Sequence, residues 1–89
     1  MLFLPLLAEF FGTFLLLMSI LATGNAIIIG ATLTVIVFLL GGVSGAHVNP
    51  AVSVAMVLKG AISISEFVSF TVAQCAGAAV AYYAYTTLA

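Results

Sequence analysis

Charge is what this sequence lacks. It has no Arg, no Asp and no Trp, with a single Lys, two Glu and one His, so charged residues make up only 3% of its 89 residues. A soluble globular domain is about 25% charged, which excludes a water-soluble fold. Disorder is excluded as well, because it needs polarity and net charge. With one cation, nothing could neutralise phosphates, so nucleic acid is not an expected partner. The single Cys, Cys75, allows no intrachain disulfide, and in its apolar run it reads as a small buried residue. No His/Cys/Asp/Glu cluster has metal-ligand spacing, and no nucleophile lies beside a base. The sequence therefore predicts no metal site, no cofactor and no catalytic residue. No Lys or Arg precedes Lys59, so the basic n-region of a signal peptide is missing and the first apolar run reads as a mature span.

What the sequence has is hydrophobicity, 66% of its residues. It reads as an all-α, multi-pass integral membrane protein whose main partner is the lipid bilayer, the plasma or inner membrane being the expected location. A helix rises about 1.5 Å per residue and the hydrocarbon core is about 30 Å thick. The length thus allows three full spans and about half of another. Apolar runs place the spans at about 2–23, 26–41 and 66–88. The second is β-branched (Ile27, Ile28, Ile29, Val35, Ile36, Val37), yet a lone strand cannot cross lipid with its backbone unpaired, so it is read as helix. Thr23-Gly24-Asn25 is a turn signal, and Ser63 to Glu66 resembles a capping box.

Residues 42–58 break the pattern. Gly41-Gly42-Val43-Ser44-Gly45-Ala46-His47-Val48-Asn49-Pro50 is expected to leave the helix. Asn49 suits an N-cap and Pro50 an N1 position, and Lys59-Gly60 suits a helix end. The intervening helix is too short to span and too apolar for a loop, so it reads as a re-entrant half-helix. Carbonyls exposed by the glycine-rich stretch cannot face lipid and must line a cavity for water or a polar solute. The half-helix then presents its positive end and the Asn49 amide to that cavity, a barrier to cations. Small residues at spacing four (Ala8/Gly12, Ala26/Gly30, Gly41/Gly45, Ala73/Gly77/Ala81) predict a packed bundle. Glu9, placed within a span, must face the bundle interior. Glu9 and Gln74 read as braces for the loop, and His47 as a residue steadying the turn. Glu66 and Lys59 suit the membrane interface, as do Tyr82, Tyr83 and Tyr85.

Gly45-Ala46-His47-Val48-Asn49-Pro50-Ala51-Val52 resembles the first asparagine-proline-alanine loop of the aquaporin family, the major intrinsic proteins. Ala8-Glu9-Phe10-Phe11-Gly12-Thr13-Phe14 resembles that family's first-helix signature. Ile62-Ser63-Ile64 and Ala73-Gln74-Cys75-Ala76-Gly77-Ala78 resemble the start and middle of its third helix. The resemblance covers nearly the whole chain but only the first of the family's two inverted repeats. It implies that residues 1–89 are one half-repeat, half of an inverted-repeat bundle, and that two such halves complete a pore. It implies a pore lined by Gly45, Ala46, His47 (through its carbonyl), Val48 and Asn49. By alignment the selectivity-filter positions fall on Ile29, Val37, Ala46 and Val52, and the filter arginine is missing.

The function expected is passive permeation of water, with small neutral solutes such as glycerol, through a pore assembled from two half-units. The expected partner is a second copy in an antiparallel homodimer, with four pores from eight chains. A separately encoded second half is the alternative. Competing readings are a dual-topology proton-coupled exporter that uses Glu9 as its exchangeable carboxylate, and a structural or holin-like membrane protein.

Overall fold

The computed structural model describes residues 3–88. Leu2, the expected start of the first span, and residues 1 and 89 of the expected half-repeat lie outside them. The described residues form four helices and no strand: α1 (Phe3–Thr23), α2 (Ala26–Ser44), α3 (Pro50–Lys59) and α4 (Ile64–Leu88). Three of these are long and apolar enough to cross a membrane. Even α2, at 19 residues, rises about 28 Å. By contrast, α3 has 10 residues and rises about 15 Å, half a crossing.

The helix ends follow from local chemistry. Gly24 turns the chain at φ +58, and Asn25 Oδ1 then accepts from the N–H groups of Ile27 and Ile28 at 2.9 and 3.0 Å. Before α4 the capping box is closed both ways. Ser63 N–H donates to Glu66 Oε1 at 2.9 Å, and Glu66 N–H donates to Ser63 Oγ at 3.0 Å. Because Ser63 is the cap, α4 starts at Ile64 and not at residue 66. At the end of α3, Gly60 adopts φ +84 and its N–H reaches the carbonyls of Met56 and Val57, carrying the helix through Lys59.

The clearest departure from expectation is the end of α2. The helix does not stop at Gly41 but continues through Gly41, Gly42, Val43 and Ser44. A glycine costs a helix only about 1 kcal/mol, whereas an unpaired backbone group in lipid costs several. Helix therefore persists until Gly45, which takes φ +88 and donates to Gly41 O at 3.0 Å. Between α2 and α3 non-helical backbone is confined to residues 45–49, a shorter stretch than the sequence implied.

In the packed bundle α1 is central, with α2 and α4 against it, while α3 rests on α4. Two of the small-residue spacings make the contacts. A Cβ on Gly77 would collide with the carbonyl oxygen of Phe10, and one on Gly12 would lie 2.8 Å from Val48 Cγ1. Ala8 and Ala81 are buried on the same faces. Of the other spacings, Gly30 and Gly41 face open space within this chain, while a Cβ on Gly45 would meet only the His47 ring two residues on. Within this single chain α2 buries only Ile36. Ile36 packs with Ala46 and Val48 of the loop, flanked by Leu16 and Leu40, so the loop is wedged between α1 and α2.

This packing separates the glycines into two classes. Gly77→Ala must push α1 from α4 and should lower stability by about 1–3 kcal/mol. Gly30→Ala enters open space and gains helix propensity, so it should leave stability unchanged or raise it by up to about 1 kcal/mol. Thermal unfolding of the purified chain in detergent distinguishes the two outcomes.

Candidate functional site

Residues 45–49 reverse direction inside the bundle, and their backbone is unusual. Besides Gly45, two non-glycine residues take positive φ, Ala46 at 49 and Val48 at 47. For a β-branched residue this is a true outlier, and such strain persists only where the surroundings impose it. Here the imposing group is Glu9. It sits on α1 with no exposed surface, and all its contacts are as acceptor. Oε2 accepts from Ser44 Oγ at 2.6 Å and from His47 N–H at 3.0 Å. Oε1 accepts from Val48 N–H at 2.8 Å and from Gln74 Nε2 at 2.8 Å. One carboxylate thereby ties the end of α2, two loop amides and α4 to α1. A carboxylate buried away from water needs such donors to offset its desolvation.

A second ring of contacts holds the half-helix. Gln74 Nε2 also donates to Ser53 Oγ at 3.1 Å, and Ser53 Oγ lies 2.8 Å from His47 Nδ1. The His47 ring is buried and packs on Phe70 with centroids 5.0 Å apart. Glu9, Gln74, His47 and Ser53 thus form one connected polar network among apolar helices. Ser53 was not singled out from the sequence. Its signal was present, since it is the one hydroxyl in the apolar decapeptide of α3 and falls one turn after Asn49.

The remaining expected site residues divide clearly. Ala46 and Val48 bury their side chains in the core. Asn49 is exposed and caps α3, its Oδ1 accepting from Ala51 N–H at 2.8 Å. Its Nδ2 amide has no hydrogen-bond partner among the described residues. The carbonyls of Gly45, Ala46, His47 and Val48 likewise accept no hydrogen bond among them. Ile29 and Val37 lie along α2, half-buried and exposed respectively, and Val52 is exposed on the first turn of α3. None of these filter-equivalent side chains carries a charge or a donor. Cys75 corrects the sequence reading. It is exposed, because it faces a groove of about 280 Å³ that it lines together with Thr13, Asn49, Pro50 and Gln74. Tyr82 and Tyr83 are exposed near the end of α4 and meet edge to face.

The network makes a specific demand on Glu9. In Glu9→Gln the amide nitrogen must face two former donors. The tolerated orientation points it at Ser44, whose hydroxyl can turn to accept, leaving the His47 N–H unpaired. Stability should fall by about 1–3 kcal/mol with the fold kept. Glu9→Leu removes all four acceptor contacts and should release the loop, with a larger loss. Denaturant unfolding in detergent measures both.

Comparison with known proteins places this arrangement. The major intrinsic protein family matches residues 3–88. The chain is 38% identical over 84 residues to glycerol uptake facilitator protein-like 6 of Lactiplantibacillus plantarum, covering 84% of this chain and 39% of that protein. It is 37% identical over 87 residues to aquaglyceroporin AqpS of Rhizobium meliloti, covering 80% and 37%. With aquaporin Z of Brucella melitensis the identity is 36% over 86 residues, covering 80% and 38%. The chain therefore spans less than two fifths of the length of these relatives. No solved structure matches it. A match over all but the outermost residues, on a bundle with three apolar spans and a half-helix, shows that this chain belongs to the major intrinsic protein family.

Proposed function

We propose that two copies of this half-repeat, inserted in opposite orientations, pair to form a pore for passive permeation of water and small neutral solutes such as glycerol. The observation that carries this reading is the loop at residues 45–49. Its N–H side is bound by Glu9, while four successive carbonyls stand unbonded and end at the free amide of Asn49. Within lipid such backbone is tolerated only where it is buried in protein or lines a water-filled cavity, and these carbonyls accept nothing from the rest of the described residues. Acceptors leading to a donor form a path for a molecule that both donates and accepts hydrogen bonds. The positive end of α3 opposes a cation at the same point.

Pairing is supported by what one chain leaves open. The relatives named glycerol uptake facilitator protein-like 6 and aquaporin Z are more than twice as long as the segment matched. Inverted repeats are a recurrent way to build transport proteins. Orientation follows Lys/Arg bias in short loops, and here Lys59 is the only basic side chain. One interfacial cation is worth about 1 kcal/mol, too little to enforce a single orientation. Four such pores from eight chains is the larger assembly proposed. Ile29, Val37, Ala46 and Val52 would then give both mouths the same apolar filter, which favours passage of small polyols beside water. Both oxygens of Glu9 are engaged in bracing, which supports a structural role over proton exchange.

Osmotic swelling of proteoliposomes tests the reading. The purified chain should conduct water and glycerol without a pH gradient. Asn49→Leu removes the pore donor and adds apolar bulk, and should lower permeability at least about tenfold in protein that still assembles. Flux that appears only under a proton gradient would favour the exporter. Flux that requires a second, separately encoded chain would replace the homodimer with a heteromer.

A further inference from the structure

Ser53 is the one residue of α3 that is fully buried, so the half-helix reaches the protein interior through a hydroxyl. A serine hydroxyl has one hydrogen to give and two lone pairs to receive. One lone pair takes the Gln74 Nε2–H at 3.1 Å. That amide cannot be turned round. Its other hydrogen donates to Glu9 Oε1 at 2.8 Å, and the reversed amide would set an oxygen against the carboxylate. The hydroxyl hydrogen of Ser53 then has a single acceptor among the described residues, His47 Nδ1 at 2.8 Å. A ring nitrogen that accepts carries no proton, and in the neutral ring the proton sits on the other nitrogen. The opposite tautomer would aim two donors at Ser53 Oγ and leave its own hydrogen, sealed among apolar helices, without a partner.

The Nε2 edge of the ring lies at Gly45, where an added Cβ would stand 3.1 Å from it. Gly45 is exposed, and it begins the row of unbonded carbonyls. No described residue pairs with Nε2, and unlike Thr13 Oγ1, Thr71 Oγ1 and Gln74 Oε1 it is not sealed from the surface. An N–H at this point is a donor open to whatever meets the carbonyls. Resting on the pore proposed above, we infer that Ser53 positions His47 with its proton on Nε2, and that this N–H is a second hydrogen-bond donor to the permeating molecule. The path then has a donor at each end, His47 Nε2–H beside Gly45 and the Asn49 amide before α3, with acceptors between. Ser53 touches no permeant. It acts through the ring, and from one turn after Asn49 it also fixes the height of that amide.

His47 is the only histidine, so a single imidazole gives the whole ring-nitrogen spectrum. The test is nitrogen NMR of the purified full chain in lipid bilayers, in mildly alkaline buffer, with water permeability of proteoliposomes read in parallel. In the wild type Nδ1 should resonate as a bare acceptor, and Nε2 should show a bonded proton that exchanges magnetisation with water. Ser53→Ala removes the hydroxyl, so Nδ1 should shift toward the protonated position as the second tautomer fills. A general loosening of the fold would not select one nitrogen. Water permeability should fall about threefold, the weight of one neutral hydrogen bond. A proton on Nδ1 in the wild type, or an unchanged ring spectrum in Ser53→Ala, would overturn the positioning role. An Nε2–H without water contact, or shifted tautomers with unchanged permeability, would overturn the donor while leaving the pore intact. A wild type that conducts nothing overturns the pore and the donor's part in it, with the ring spectrum still deciding the tautomer. Should Ser53→Ala fail to fold, the wild-type spectrum and its water contact decide alone.

Discussion

The four hydrogen bonds to the Glu9 carboxylate are the contacts on which the rest of this half-bundle depends. They come from the end of α2, from two consecutive loop residues and from α4. Together with burial of both side chains against Ile36, they offset the positive φ of Ala46 and Val48, each costing about 1–3 kcal/mol. The constraint is also steric. Val48 fits because Gly12, less than one turn from Glu9 on α1, has no side chain to displace it. One stretch of α1 thus supplies both the acceptor that holds the loop and the space the loop occupies. The loop in turn aims the start of α3, since Asn49 follows Val48 directly.

Much of this was legible in the sequence, and the reasons are physical. In lipid a backbone must satisfy itself, so apolar length alone marks α1, α2 and α4. The short helix between Pro50 and Lys59 was legible from its caps and from being too short to span. Glu9 and Gln74 could be read as braces because an isolated polar side chain in a span has few other uses. The end of α2 was not legible. Glycines usually punctuate structure, but in a bilayer the cost of unpaired backbone outweighs their low helix propensity, and helix continued to Ser44. Positive φ at Val48 was illegible for a related reason, since nothing local favours it and the cause lies 39 residues away on α1. Ser53 escaped notice because a lone serine in a helix is common. Cys75 misled because an apolar neighbourhood in sequence does not say whether a groove opens beside it.

The division of labour within the loop gives the proposed function its physical basis. The N–H groups of His47 and Val48 turn inward to a carboxylate, and the carbonyls of residues 45–48 accept no hydrogen bond among the described residues. That polarity is opposite to an anion site, where N–H groups face the ligand. A lane of carbonyls that ends at the positive start of a helix suits a neutral hydrogen-bonding molecule and resists a cation. In the proposed pair the two half-helices would present this barrier twice. Selectivity among neutral solutes would rest on the apolar positions along α2 and at Val52, which carry no fixed charge.

Four hydrogen bonds to Glu9 should hold the loop backbone rigidly inside the bundle. Amide hydrogen exchange at His47 and Val48, measured by NMR in a bilayer mimetic, tests it most directly. These residues lie outside any helix, and an open loop would exchange its amides within seconds. Protection comparable to the interior of α1 is expected, because both N–H groups are buried on the carboxylate. Rapid exchange at both, with α1 and α4 still protected, would contradict it.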